Sequence, residues 1–174
     1  MFPFVRMIKD IVLARNLPPL TDFSEIHEST HICWPWDIDF FGEMNNGRVL
    51  TIYDLGRFAS AQRGGLIRAL YVNKWGLAMA GAMVRYRRRL TAFERFTMRS
   101  RAGCWDERFI YIEQSMWVKG KPCSSALLRT GVTEGGKVIE TARVLAALGQ
   151  SDWKLPPTGY VAEWIESDSD RPWP

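Results

Sequence analysis

Two carboxylates, a glycine and an Asn-Asn pair stand close together in the run Trp36-Asp37-Ile38-Asp39-Phe40-Phe41-Gly42-Glu43-Met44-Asn45-Asn46-Gly47-Arg48. Asn45 or Asn46 suits a helix N-cap, because its side-chain oxygen can accept from first-turn N–H groups that have no partner within the helix. A helix N-terminus also offers free donors and a partial positive charge. A carboxylate held a few residues upstream would then face a carbonyl polarised at that terminus. That pairing suits acyl transfer, in which an acid supplies the nucleophile or base and fixed donors receive the charge developing on oxygen. The structural alternative is that Asp37 and Asp39 only cap a turn or the following helix. Gly42 lets the chain turn sharply between them and the Asn pair.

The neighbouring elements must position this run. Residues 46–63 place Leu50, Ile52, Tyr53, Leu55, Ala59 and Ala61 on a long helix, with Gly64-Gly65 as its stop. Residues 66–73 predict a second helical piece. Upstream, residues 25–34 predict a first strand ended by Pro35. Residues 5–17 predict a short amphipathic helix with Val5, Ile8, Val12 and Ala14 as its apolar stripe, closed by Pro18-Pro19. It reads as a helix packed on the domain; Phe2, Phe4, Arg6, Lys9 and Arg15 leave a peripheral membrane contact as the alternative.

Downstream of Gly76 the period becomes strand-like. Residues 77–84 are apolar and rich in small side chains, which predicts a central strand lying close under the helix. In residues 95–104, Phe96, Met98, Ser100, Ala102 and Cys104 alternate onto one face. Residues 108–118 form another strand, and Gly120-Lys121-Pro122 turns into a strand over 123–132 that Glu134-Gly135-Gly136-Lys137 closes. Residues 141–148 fit either a short helix or a last strand. Strand, long helix and about four further strands make an α+β layout, with one curved antiparallel sheet of about five strands wrapped around a central helix. The chain divides into an N-terminal helix and linker (1–24), this domain (25–148) and a Trp- and Pro-rich tail (149–174) without a clear period.

The motif resembles that of the hotdog-fold thioesterases, in the branch of 4-hydroxybenzoyl-CoA thioesterase and its acyl-CoA relatives. Those proteins read Asp-x-Asp-x-x-Gly-His-x-Asn-Asn before a long helix, and Asp37, Asp39, Gly42, Asn45 and Asn46 stand at matching spacing over a likeness covering roughly residues 25–148. The resemblance implies a hotdog fold and hydrolysis of a fatty or aromatic acyl-CoA to free acid and CoA. Asp39 then acts as nucleophile or general base, and the N–H groups near Asn46 and Gly47 polarise the carbonyl. Asn45 organises the loop and the helix cap. It further implies a dimer or a tetramer of dimers, no metal, and no cofactor beyond the CoA of the substrate. The chain departs from the pattern at Glu43, which takes the histidine position and places a second acid near Asp39, either a solvated loop acid or a second acid-base group of the catalytic set. That change favours the alternative of a non-catalytic acyl-CoA-binding protein on the same fold. A hotdog dehydratase fits less well, because neither the motif nor the long helix holds a histidine.

Other residues narrow the reading. Arg85, Arg87, Arg88 and Arg89 form the densest basic run. It reads as a solvated strand end, or through Arg87 and Arg88 as a clamp on the phosphates of CoA, with Arg48 and Arg57 as lesser candidates. His27 and His31 share a strand face and read as packing residues. Met79, Met83, Phe96, Met98, Phe109, Tyr111 and Trp117 read as core, some of them lining an acyl tunnel. A formal charge of +4 over 174 residues suits an anionic ligand. Zinc spacings, Gly-rich phosphate loops and RNA-binding aromatic signatures that would point to nucleic acid are missing, as is a Gly-x-Ser-x-Gly elbow. Cys33, Cys104 and Cys123, odd in number and without a secretory signal, predict free buried thiols in a cytoplasmic protein. No apolar run reaches the length of a membrane span.

Overall fold

A computed structural model describes residues 2–22, 24–152 and 155–172. The long helix α2 (Asn46–Arg63) starts on Asn45 and stops on Gly64, as its local signals predict. It is preceded by helix α1 (Phe4–Arg15) and strand β1 (His27–Ile32), and followed by helix α3 (Leu66–Asn73). Strands β2 (Gly76–Tyr86), β3 (Arg95–Trp105), β4 (Ile110–Val118) and β5 (Lys121–Glu134) then run antiparallel. The sheet order is β1-β3-β4-β5-β2, with the short β6 (Lys137–Val138) folded back on the end of β5. Residues 141–148 resolve as helix α4 (Thr141–Ala147).

The sheet curves around α2. Phe96, Met98, Met116 and Leu128 from the strands meet Val49, Ile52, Tyr53 and Leu55 from the helix in the main core. Gly56 allows the closest approach. A Cβ there would stand 2.5 Å from the Met98 sulfur and 2.8 Å from the Ser100 hydroxyl oxygen. Beside it the nitrogen of the buried Gln114 amide donates to the Tyr53 carbonyl (2.9 Å) and to Ser100 Oγ (2.7 Å), which satisfies that donor under the helix.

Several expectations are corrected. Residues 77–84 do not form a central strand: among the described residues β2 pairs with β5 alone, so it is an edge. Met79 and Met83 are accordingly exposed and are not core. An apolar run looks the same in sequence whether its open edge is covered by the same chain or left free. Cys104 leaves the face it was expected to share with Phe96 and Met98. A bulge between Ala102 and Cys104 shifts the register by one residue, which turns Cys104 to the opposite side of the sheet.

There it meets Tyr111, Leu127 and Val161, the last from helix α5 (Tyr160–Ser169). The tail is therefore partly helical, with Trp164 edge-on to Tyr111 at 6.2 Å and Asp168 paired to Arg129. Trp153 and Trp173, also in the tail, lie outside the described residues. All three cysteines are buried free thiols, and burial raises Cys33 and Cys104 to about 11.

α1 exists as predicted but packs with another face. Met7 and the buried Asp10 and Ala14 turn inward against α2 and the core, while Val5, Ile8 and Val12 point to solvent. The inward face is chosen by polar contacts that the apolar stripe does not reveal. Arg6 reaches Asp37 (2.8 Å) and the Ile32 carbonyl (3.1 Å), while the buried Asp10 pairs with Lys9 (3.0 Å) of its own helix.

Candidate functional site

The loop between β1 and α2 is held from both ends. Asp37, only 1% exposed, accepts from the Trp34 N–H (3.0 Å) and pairs with Arg6 and with Arg48 (Nε, 3.2 Å). This carboxylate organises the loop and is not available to a ligand. An isolated bridge between Ile38 and Met44 then pinches off the tip, where Gly42 adopts φ +80°. Within the tip Asp39 is half-buried. Its Oδ1 accepts the Phe41 N–H at 2.9 Å, and its own N–H donates to the Glu43 carbonyl at 2.9 Å.

The end of the loop delivers the helix cap. Asn45 Oδ1 accepts from the Gly47 N–H (2.9 Å) and more weakly from the Arg48 N–H (3.3 Å). Gly47's donor is thus occupied. The N–H of Asn46, at the first helical position, has no partner among the described residues. Asn46 lines an open cavity of about 300 Å³ together with Glu43, Tyr86, Arg87, Arg88 and Ser124. The tertiary structure therefore brings Glu43, Asn46, Arg87 and Arg88 to one place. Asp39 lies in the adjoining loop and does not line this cavity.

The basic run divides along β2. Arg88 is committed to Glu94 and Arg89 to Glu43 (3.3 Å), whereas the exposed Arg87 guanidinium has no side-chain partner among the described residues. The Arg87 and Arg88 backbone N–H groups both donate to the Cys123 carbonyl, which fixes the strand end beside the cavity. Arg85 lines a different groove, with Arg99, Arg101 and Trp117. Tyr86 and Ser124 are site residues that sequence reasoning missed. Ser124 is held by the buried Tyr53 hydroxyl at 2.8 Å, and burial pushes the Tyr53 phenol well above its usual range. No local pattern marks these two, since only the β2–β5 pairing brings Tyr86 opposite Ser124.

Of the remaining candidates, Arg57 is buried and paired with Asp54 on α2, away from this cavity. His27 and His31 are buried and neutral, burial lowering them to about 4 and about 3. Among the described residues no group of three or more metal-binding side chains converges.

A family profile described as the thioesterase-like superfamily matches residues 33–148, from the motif loop to the end of α4. The chain belongs to that superfamily. The matched segment contains α2, the strands β2 to β5 and the cavity. Protein THEM6 of Xenopus laevis is 39% identical over 111 residues, which cover 64% of this chain and 54% of that protein. This chain spans about half the length of the curated relatives it matches. Among solved structures, the probable thioesterase YbaW from Escherichia coli superposes with a TM-score of 0.65 at 14% identity, covering 71% of this chain and 97% of that one. A Staphylococcus aureus protein, SAV2348, solved in complex with CoA, superposes with a TM-score of 0.61 at 12% identity, covering 80% and 91%. These likenesses establish the hotdog fold: a long helix wrapped by a curved antiparallel sheet.

Proposed function

We propose that the chain is a cytoplasmic acyl-CoA thioesterase that hydrolyses a fatty or aromatic acyl-CoA to the free acid and CoA. The observation that carries this reading is Asn46 at the start of α2, whose N–H has no partner among the described residues and which lines a cavity together with Glu43 and Arg87. A thioester carbonyl bound there receives a backbone donor and the positive end of the helix, where charge develops as the carbonyl carbon becomes tetrahedral. Asp39, as general base, takes a proton from water as its oxygen bonds to that carbon. Collapse then breaks the C–S bond, and the proton returns to the departing thiolate. As nucleophile, an Asp39 oxygen instead bonds to the carbonyl carbon. The C–S bond breaks and the CoA thiolate leaves to take a proton from solvent, and water then splits the mixed anhydride into the free acid and the Asp39 carboxylate. Either role requires its Oδ1 to exchange the Phe41 N–H for substrate, or Oδ2 to do the work. Arg87 supplies a guanidinium for a CoA phosphate, and a CoA complex of a protein with this fold supports that ligand class.

The open edge of β2, with Met79 and Met83 exposed beside it, supports a dimer paired edge to edge through β2. Light scattering should then return two or four times the mass of one chain, for the dimer or a tetramer of such dimers, and a single-chain mass would remove this part of the reading. A second reading, an acyl-CoA-binding protein without turnover, is favoured by the position of Asp39 outside the cavity lining and by Glu43 in place of histidine.

Thiol release from a panel of short, long and aromatic acyl-CoA esters separates the two. Hydrolysis should occur and fall roughly 100-fold or more in Asp39→Ala, the loss expected for a group that handles the proton. An unchanged rate in the variant would remove Asp39 from the chemistry. No hydrolysis, with retained binding of a non-cleavable thioether analogue, would establish the binding protein.

A further inference from the structure

The helix α1 turns its apolar stripe away from the protein. Phe4, Ile8 and Val12 recur every four residues and Val5 lies beside them, which puts them on one side of a helix with 3.6 residues per turn. Met7, Asp10 and Ala14 occupy the opposite, buried side. Val5 is 82% exposed and Ile8 58%. Lys9, at one edge of the stripe, and Arg15, at its C-terminal end, are exposed; the only acid of the helix, Asp10, is buried and pairs with Lys9 at 3.0 Å. The outward face of α1 is therefore apolar and basic, without a negative charge.

A second exposed apolar surface adjoins its first turn. Arg6 ties α1 to Asp37 and to the Ile32 carbonyl, beside the turn that carries Trp34 and Trp36. Those two rings stack at 5.2 Å, and Phe93 meets Trp34 edge-on at 6.3 Å. Trp36 and Phe93 are both exposed. At the tip of the same loop Phe40 and Phe41 lie 4.1 Å apart, with Phe40 89% exposed. Large aromatic groups gain most by leaving water, and a contiguous surface of this kind marks an interaction site.

We propose that the outward face of α1, together with the aromatic side chains of the motif loop, is a peripheral docking surface for an anionic lipid bilayer. An apolar helix face bordered by basic residues, with Trp and Phe beside it, matches the requirements of the headgroup–acyl boundary, where apolar groups are buried and cations meet lipid phosphates. Lys9 already meets Asp10 but stays half exposed, and a protein groove covering this surface would need an acid placed for Arg15, whereas an anionic bilayer meets both cations as a continuous field. No described helix is long and apolar enough to cross a membrane, so the contact is one of lying on the surface. Docking also sets the motif loop at the bilayer, where a thioester with a long acyl chain concentrates. That consequence alone rests on the thioesterase reading.

Flotation of the whole protein with vesicles of phosphatidylcholine, with and without phosphatidylglycerol, tests the proposal without any substrate. The protein should float with the anionic vesicles, and raising the salt should weaken that binding. The double variant Val5→Glu/Ile8→Glu should bind roughly tenfold or more weakly, since two apolar anchors become repelled acids. Both positions are exposed, so its thermal melting should match that of the parent. Trp36→Ala should weaken binding as well, with melting again the control. A parent protein left in solution with both vesicle types would overturn the proposal, as would a double variant that floats like the parent. So would a change in oligomeric mass of the double variant, because the stripe would then be a contact between copies. Thiol release is read separately on the parent: a parent that hydrolyses acyl-CoA but does not float rejects the bilayer alone, and one that floats but does not hydrolyse rejects the hydrolase alone.

Discussion

Asp37→Asn is the change that most directly tests how the motif loop is held. The carboxylate is 1% exposed and accepts from the Trp34 N–H while facing two guanidiniums, Arg6 at 2.8 Å and Arg48 at 3.2 Å. An exposed ion pair contributes about 0–1 kcal/mol, whereas breaking a buried one costs about 3–5 kcal/mol because a charge is left without its partner. The acid here is fully buried, but the Arg6 and Arg48 side chains keep 15% and 20% of their exposure, so the cost lies between these limits, at about 2–4 kcal/mol. For a chain of this size each kcal/mol moves the melting temperature by roughly 2–4 °C. Urea unfolding followed by circular dichroism and by the fluorescence of Trp34 and Trp36 measures the loss. A double-mutant cycle with Arg6→Met isolates the contribution of α1. With Arg6 already gone, Asp37→Asn should cost about 1–2 kcal/mol less than in the parent. A loss under about 1 kcal/mol would place Asp37 in the class of surface bridges, and a coupling near zero would refute the claim that α1 is tied to the loop through this pair.

Gly56→Ala sets two effects against each other. The added methyl favours the helix by about 1 kcal/mol, but it meets the Met98 sulfur and the Ser100 hydroxyl and crowds the Gln114 amide, at an overpacking cost of about 1–3 kcal/mol plus any hydrogen bond lost. Net destabilisation is expected in urea unfolding, and a stabilised variant would show that α2 does not lie this close to the sheet. Acidification should destabilise the fold below pH 6.5. His27 and His31 are held at about 4 and about 3, chiefly by burial, against 6.5 in the unfolded chain. Between those values the unfolded state binds more protons, so stability falls as pH falls, by about 1.4 kcal/mol per pH unit for each histidine. Asp10 acts in the opposite sense. Burial raises it, so the folded state takes its proton first and recovers some stability in the carboxylate range. Melting temperatures from pH 7 to 4 should drop steeply for the parent and less so for His27→Gln; a flat profile in the parent would contradict the burial of both imidazoles.

What the sequence by itself determined follows the range of the interactions concerned. α2 was legible to its first and last residues, because Asn45 caps its start and Gly64 ends it through contacts within a few residues. The strand alternation of β3 was equally legible as far as Ala102. The motif's acids and asparagines were visible as well. Tertiary structure alone decided the rest. Residues 77–84 are apolar in either case, and only the absence of a second neighbour among the described residues made β2 an edge. The period of α1 disclosed a stripe, but Arg6, reaching Asp37 and the Ile32 carbonyl far along the chain, ties the other face inward and leaves Val5, Ile8 and Val12 facing outward. α5 escaped notice because Gly159, at its start, offers no side-chain cap, and its burial rests on Tyr111 and Leu127 of distant strands. The run Arg85–Arg89 read as one cluster until strand pairing sent Arg85 to one groove and Arg87 to Arg89 to another. Local caps and periods act over a turn or two of chain, whereas the choice of buried face and the assembly of a cavity depend on which distant segments arrive beside them.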